Sequence, residues 1–391
     1  MTEHGWERDY AILALHISDL ATGGTIIYRG PQEWRAQAAE QAAEQGAPPP
    51  GRLAEDADRL LEQATSPYAA ANLRAFRAVA RYLDGERPSL ADYAEQCLGL
   101  RPRWLPEEEL AAAHDRLDAA LPKTPGSLAE RLHAWQRAHT LRDMDRLPHL
   151  VDLAVAETRA RTAARIIPLP DDEVVECVTV PEATFHAAGH YAGGHRSQIH
   201  INAGIPFNVA DLLYVVAHEG HPGHIAESMF KEEHAEGRIE RQVRTLLSPP
   251  FVISEGLGLH AEQLIFPGDE AQKWLTDHVL PELGIAADGS DLAAIHEVKN
   301  VLWGVWGNAA FLAAEGRSDA DLAAHLSRWA LYDDDEVALA LGQVRPSVMS
   351  PYLFCYHHGW RLLGPWLDAP DRDRRVRRLL TEPFLPADLA V

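Results

Sequence analysis

The feature that most constrains this chain is the run His218-Glu219-Gly220-His221-Pro222-Gly223-His224, answered downstream by Ser254-Glu255-Gly256. It supplies three imidazoles, a carboxylate beside the first of them, and a second carboxylate thirty-one residues after the last. Zinc-dependent hydrolysis draws on this inventory: neutral His nitrogens and a Glu as ligands, one open position for water, and an unligated Glu as base. The plainer alternative is a His-rich helix end on the surface. An apolar helix in front of the run and a distal Glu behind it speak against that alternative.

Asn208 can cap the helix in front, with Asp211 three residues on in a box-like position. Val209, Leu212, Leu213 and Val216 then form an apolar face, and the helix delivers His218 and Glu219 at its far end. In an HExxH helix the second His lies four residues after the first, one turn along the same face. Here position 222 is Pro, so His221 sits at i+3 and His224 at i+6. On a regular helix i+6 points well away from i. Pro222 removes a backbone hydrogen bond and Gly223 allows unusual dihedrals, so a local bulge can swing His224 back toward His218. The spacing alone leaves His221 and His224 as rivals.

The surroundings read as mostly helical. Tyr10, Leu13, Ile17 and Leu20 recur at helical spacing before Gly23-Gly24, and Pro31 opens a helix that ends at Gly46. Further amphipathic segments fall at roughly 52–64, 67–84, 89–98, 106–120, 127–139 and 146–166. Residues 174–180 are β-branched and read as a strand, 186–195 as a loop rich in Gly and His, and Ser197–Asn202 as a second strand. Beyond the metal motif the chain reads as helical to about residue 380. The charge run Arg372–Arg378 reads as a solvated helix face. The expected architecture is therefore mainly α, with one small β-sheet beside the active-site helix. Residues 1–165 form a helical amino-terminal region and residues 166–391 the zinc-binding catalytic region, joined in one continuous unit.

The bulk properties exclude some partners. The chain has 391 residues, with 36 Lys and Arg against 58 Asp and Glu, a net charge of -22. Such a surface repels nucleic acid and anionic lipid. The opening Met1-Thr2-Glu3-His4-Gly5-Trp6 has neither a basic nor an apolar leader region, and no stretch of eighteen apolar residues is present to span a membrane. Cys97, Cys177 and Cys355 are scattered, with no CxxC motif and no disulfide framework. The expected location is the cytoplasm.

HExxPGH followed by an EGxxxxxE segment, here His218–His224 and Glu255-Gly256-Leu257-Gly258-Leu259-His260-Ala261-Glu262, resembles the bacterial domain of unknown function 885. That family is similar in turn to the gluzincin zinc metallopeptidases. The likeness covers roughly residues 165–365. It implies a two-lobed, gluzincin-like helical fold and one Zn2+ per chain, held by His218, His224 and Glu255, with Glu219 as general base. It also implies a substrate-pairing role for the strand Ser197–Asn202. A Tyr-x-x-Gly element of the family is matched by Tyr356 and Gly359, which puts Tyr356 forward as the donor to the developing oxyanion, with His260 and His357 as its rivals. The chain departs from the family at Leu257, where an aromatic is usual, at His260, where Tyr is usual, and at Glu227, where Gln is usual. These departures bear on the substrate pocket.

Other side chains compete for roles. Glu262 lies seven residues after Glu255, on the same helix face, and is a rival ligand. His186 and His190 could hold a second metal. His200 in a strand is more often packed than ligating. The expected function is hydrolysis of a peptide or other amide bond, in a short peptide or an amide-containing small molecule. One alternative is a pathway-specific metalloenzyme acting on a single small molecule, by amide cleavage or by non-hydrolytic metal chemistry. The other is a metal-binding protein without catalysis, against which the intact Glu219 argues.

Overall fold

The computed structural model describes residues 4–183 and 185–389. Met1, Thr2 and Glu3 of the opening segment lie outside them. The described chain is mainly helical with a small sheet. It begins with α1 (His4–Thr22), a short strand β1 (Ile26–Tyr28), α2 (Gln32–Gln45), α3 (Pro50–Leu61) and α4 (Pro67–Leu83). Then follow α5 (Leu90–Leu98), α6 (Glu107–Ala120), α7 (Leu128–Ala138) and α8 (Leu147–Arg165). The boundaries follow local chemistry. Ser66, Ser89 and Ser127 cap α4, α5 and α7 through their hydroxyls, and Glu130 completes a capping box on α7. Pro residues sit in the first turns of α3, α4 and α8, where no backbone N–H is needed.

Three strands follow: β2 (Val174–Val180), β3 (Ala187–Gly193) and β4 (Arg196–Asn202). β4 lies in the middle, parallel to β2 and antiparallel to β3. Two expectations change here. The stretch expected as a Gly- and His-rich loop is strand β3, closed onto β4 by a turn in which Gly193, Gly194 and His195 all take positive φ. Its Ala, Gly and His residues carry little strand propensity, and pairing to β4 supplies what the sequence lacks. The strand expected to offer a free edge to a substrate is instead paired on both sides, and the outer edges belong to β2 and β3.

Asn208 accepts a hydrogen bond from the Ala210 N–H at 2.9 Å and starts a 3-10 turn that runs into α9 (Leu212–Glu219). Asp211 takes no part in that cap; it reaches His296 and Lys299 instead. Val209, Leu212, Leu213 and Val216 are fully buried. Beyond α9 lie α10 (His224–Glu233), α11 (Ile239–Gln242), a short β5 (Val243–Thr245) and α12 (Pro249–Ile265). The rest is α13 (Glu270–His278), α14 (Leu292–Ala314), α15 (Asp319–Trp329), α16 (Asp334–Val344), α17 (Leu353–Leu367), α18 (Arg372–Thr381) and α19 (Pro386–Leu389). α18 carries the arginine run, with Val376, Leu379 and Leu380 turned into the core.

The two regions read from the sequence are tied across residue 165. β1 pairs antiparallel with β5, the Tyr93 hydroxyl donates to the Val348 carbonyl, and Asn308 bonds both backbone groups of Leu105. α12 is almost wholly buried and crosses α17 with no side chain between them. A Cβ on Gly359 would stand 2.1 Å from the Val252 carbonyl oxygen, and one on Gly256 would stand 2.5 Å from the Gly359 backbone. Any larger residue would push the helices apart. This crossing sets the start of α17 over Glu255 of α12. Among the described residues no helix is long and apolar enough to cross a membrane.

Candidate metal centre

The chain brings His218 and His224 together by breaking the helix outright, where a bulge was expected. α9 ends at Glu219, Gly220 leaves the helical region, and His224 opens α10. The Gly223 N–H bonds the Ala217 carbonyl at 3.0 Å, folding the connection back over the end of α9. A Cβ at Gly223 would lie 1.8 Å from the His218 carbonyl oxygen, so only glycine fits the return. His221 points the other way. It is buried against Glu173 at 2.9 Å, and Glu173 is also bonded by Arg159 at 3.0 Å, so this imidazole ties the connection to the sheet.

His218 Nε2 lies 3.3 Å from Glu255 Oε2 and His224 Nε2 lies 3.5 Å from Glu255 Oε1. The two imidazoles meet edge-on with centroids 4.7 Å apart. One ligand atom from each of the three residues falls within 4.8 Å of the others. Room for the His218 ring is made by Gly258, where a Cβ would stand 2.6 Å from it. Both Glu255 oxygens are buried, yet Oε2 has no hydrogen-bond partner in the protein. A buried carboxylate oxygen left without a donor is costly, and a cation between it and two imidazole nitrogens removes the cost. Two nitrogens and one oxygen with a further position free are a donor set that zinc accepts. The residues present fit the metal that the motif implies.

Charge at the cluster is balanced internally. Burial disfavours the ionised form of Glu255, but His224 and His218 outweigh it and hold the carboxyl well below its usual range. Burial likewise opposes a charge on His224, and Glu255 outweighs it, raising the imidazole to about 9. Behind His224 stands a second layer. Ser254 Oγ lies 3.1 Å from His224 Nδ1 and donates to Glu227 Oε2. Glu227 in turn meets Arg244 at 3.0 Å and Lys231 at 2.5 Å. Although burial opposes it, these two cations keep Glu227 ionised, with its carboxyl down at about 2. Glu227 therefore arrives with its own counter-charges. On the other side, the Tyr352 hydroxyl donates to Glu255 Oε1 at 2.5 Å.

Glu219 is buried beside the cluster, and its Oε2 accepts the Gly189 N–H of β3 at 2.7 Å. The strand can come this close because residue 189 has no side chain: a Cβ there would lie 2.2 Å from the Glu219 carbonyl oxygen. Tyr356 stacks on Trp303 at 4.3 Å, and its hydroxyl is kept protonated by burial and then by the facing charges of Glu255 and Glu219. The structure brings Tyr356 to the cluster and holds its two rivals elsewhere. His260 Nε2–H donates to the Trp360 carbonyl and His357 Nδ1–H to the Asn300 carbonyl. Glu262 bonds His296 at 2.7 Å, one turn and more beyond the metal ligands. His186 and His190 belong to no group of three candidate ligands among the described residues. His190 faces His200 across the β3–β4 pair, and His186 stacks on Phe207.

Tyr352, four residues before Tyr356, stands out in the sequence only as one more aromatic at helical spacing, and its bond to Glu255 gives it a place at the cluster. Three further contributors escape the sequence reading. Ser254 adjoins Glu255. Gly189 and Trp303 carry no local signal, because their roles arise only when β3 and α14 pack against the site. The chain matches no protein-family model, and no curated protein is significantly similar to it.

Proposed function

We propose that this protein is a zinc-dependent hydrolase of a peptide or other amide bond, with Glu219 as general base. The observation that carries the reading is the buried Glu219 carboxylate, held by the Gly189 N–H beside a His218/His224/Glu255 set whose Glu255 Oε2 has no partner in the protein. Bound zinc would supply the Lewis acidity that polarises a carbonyl and makes water acidic. The chain supplies the rest. With one Glu219 oxygen fixed by Gly189, the other is free to accept a proton from the attacking water and return it to the leaving amine. The Tyr356 hydroxyl, protonated throughout the ordinary pH range, donates to the oxygen that gains charge in the transition state. The outer edge of β3 supplies backbone groups for an extended substrate. Tyr352 and Ser254 hold the ligands in orientation.

The same reading extends to kinship with the bacterial domain of unknown function 885, a gluzincin-like two-lobed arrangement and a cytoplasmic location. It prefers catalysis to passive metal binding, because a storage site has no use for a base positioned by a strand. The test is turnover on short peptides and N-acyl amino acids, with Glu219→Gln as control. The amide keeps an oxygen for the Gly189 N–H, so the variant should retain its metal while kcat falls about 10²–10⁴-fold. Wild-type turnover in that variant would remove Glu219 from its role.

A further inference from the structure

Lysine is rare in this chain, present only at positions 123, 231, 273 and 299. Lys123 and Lys273 form surface ion pairs with Asp118 and Asp269, and Lys231 is tied to Glu227. Lys299 differs from all three. It lies on α14 with its side chain 38% exposed, and its ammonium meets Asp211 at 2.6 Å and stands 5.7 Å above the Tyr214 ring. An ammonium has three donors, and Asp211 is the one hydrogen-bond partner of this one among the described residues. Tyr214 is four residues before His218 on α9, so its ring shares a helix face with the first ligand, one turn away. Trp303, one turn after Lys299 on α14, stacks on Tyr356. Lys299 is therefore the cation at one end of the wall that leads to the cluster.

The wall is aromatic. Trp303 continues to Trp306 at 5.5 Å, and the Trp306 N–H donates to the Tyr332 hydroxyl at 2.9 Å. His186 lies near the same cation. Its ring is solvent-exposed, yet the protein around it desolvates it enough to lower its pKa, and it lies within electrostatic reach of Asp211, Lys299 and Glu219. Behind Lys299 the charges alternate inward: Asp211, then His296, then Glu262. The three buried members carry one net negative charge, which Lys299 balances, and the partly exposed ammonium is the outer end of the series.

We propose that Lys299 binds a carboxylate of the substrate, so that the scissile amide has a leaving amine carrying a free carboxyl group, as in an N-acyl amino acid or a short peptide cut near its carboxyl end. This rests on the hydrolase reading and names the substrate class for it. The carboxylate pairs with the free N–H groups of Lys299, and an aromatic or apolar side chain lies along Trp303 and Trp306.

Binding tests it without turnover. Protein as purified, carrying Glu219→Gln, is titrated calorimetrically with N-acetyl-phenylalanine and with N-acetyl-glycyl-phenylalanine, each against its own carboxamide. In at least one pair the acid should bind about tenfold tighter or more, the scale of a charge-assisted hydrogen bond. The pair that shows it reports whether the leaving group is an amino acid or a dipeptide. Lys299→Met in the same background should bring acid and amide together, and Lys299→Arg should restore the gap, which separates loss of the cation from loss of the fold. Equal binding of acid and amide in both pairs overturns the proposal. So does a preference that survives Lys299→Met, which would place the carboxylate on the metal. Should the preference follow Lys299 while no carboxyl-bearing amide is cleaved, the hydrolase reading fails and the carboxylate site stands.

Discussion

Two buried groups of histidine and carboxylate lie within a few turns of each other and are built to opposite ends. In one, His218 and His224 share the single carboxylate of Glu255. In the other, the single imidazole of His296 lies between two carboxylates, Glu262 at 2.7 Å and Asp211 at 3.0 Å. The ratio decides what each can hold. With both ring nitrogens bonded to carboxylates, His296 is a cation with no lone pair to offer. Burial alone would lower its pKa, but Glu262 and Asp211 raise it to about 9. At the first group two Nε2 atoms converge on one carboxylate, a set of two nitrogens and an oxygen that could hold a metal. A metal would find two converging imidazoles in one cluster and a single imidazole already bonded at both nitrogens in the other.

Substitution should break this contrast most sharply at the ligands. Zinc content by elemental analysis should fall from about one equivalent per chain to near none in His224→Ala. His296→Gln should keep its zinc and lose thermal stability instead. His221→Ala should also keep the metal, since that ring serves Glu173. Zinc retained by His224→Ala but lost from His221→Ala would reverse the assignment of ligands.

The next effect lies across the cluster. Tyr356→Phe removes one hydroxyl and leaves the stacking on Trp303, so kcat should fall about 10²–10³-fold with little change in melting temperature. Unchanged activity would reduce Tyr356 to packing. A smaller loss is expected one layer out. Ser254→Ala cuts His224 Nδ1 off from the ionised Glu227, and competition with a zinc chelator should show affinity down about 10–100-fold. Zinc affinity equal to wild type would leave Ser254 a bystander.

The finest test uses pH on the His296 cluster. A histidine whose folded pKa lies above its unfolded value of about 6.5 stabilises the fold fully below that value and ceases to do so as pH rises through the folded one. For His296, faced by Asp211, Glu262 and the ring of Tyr214, with Lys299 beyond Asp211, the window runs from about 6.5 to about 9. The melting temperature of zinc-loaded protein should decline across it, and the decline should be shallower in His296→Gln. Parallel curves for the two proteins would mean that His296 is neutral.

What the sequence disclosed follows the range of the interactions involved. Helices whose periodicity and caps are local fall where the pattern puts them, among them α4, α5 and α7. The Asn208 cap and the apolar face of α9 are equally local. Strand β3 was hidden because its stability comes from β4 and not from its own residues. Asp211 looked like a capping partner because nothing local announces His296, eighty-five residues away. Two of the ligands sit on segments whose meeting depends on Gly223 and Gly258, and spacing alone could not choose between His221 and His224. The carry-over from a family motif made that choice, and the geometry supports it with a helix break in place of the bulge. His260 and His357 were plausible donors by type and position. Their rings turn instead to main-chain carbonyls that no pattern in the sequence foretells.

The glycines around the cluster set a boundary on how this protein can change over generations. At positions 189, 223, 256, 258 and 359 a single added carbon would collide with backbone or with a ligand ring. The aromatic wall of Trp303, Trp306 and Tyr332 carries no such restriction, since its residues are large and half-buried. Descendants of this sequence are therefore free to redraw the aromatic wall, while the cluster of His218, His224 and Glu255 is passed on unaltered, protected by the five places where nothing but hydrogen can stand.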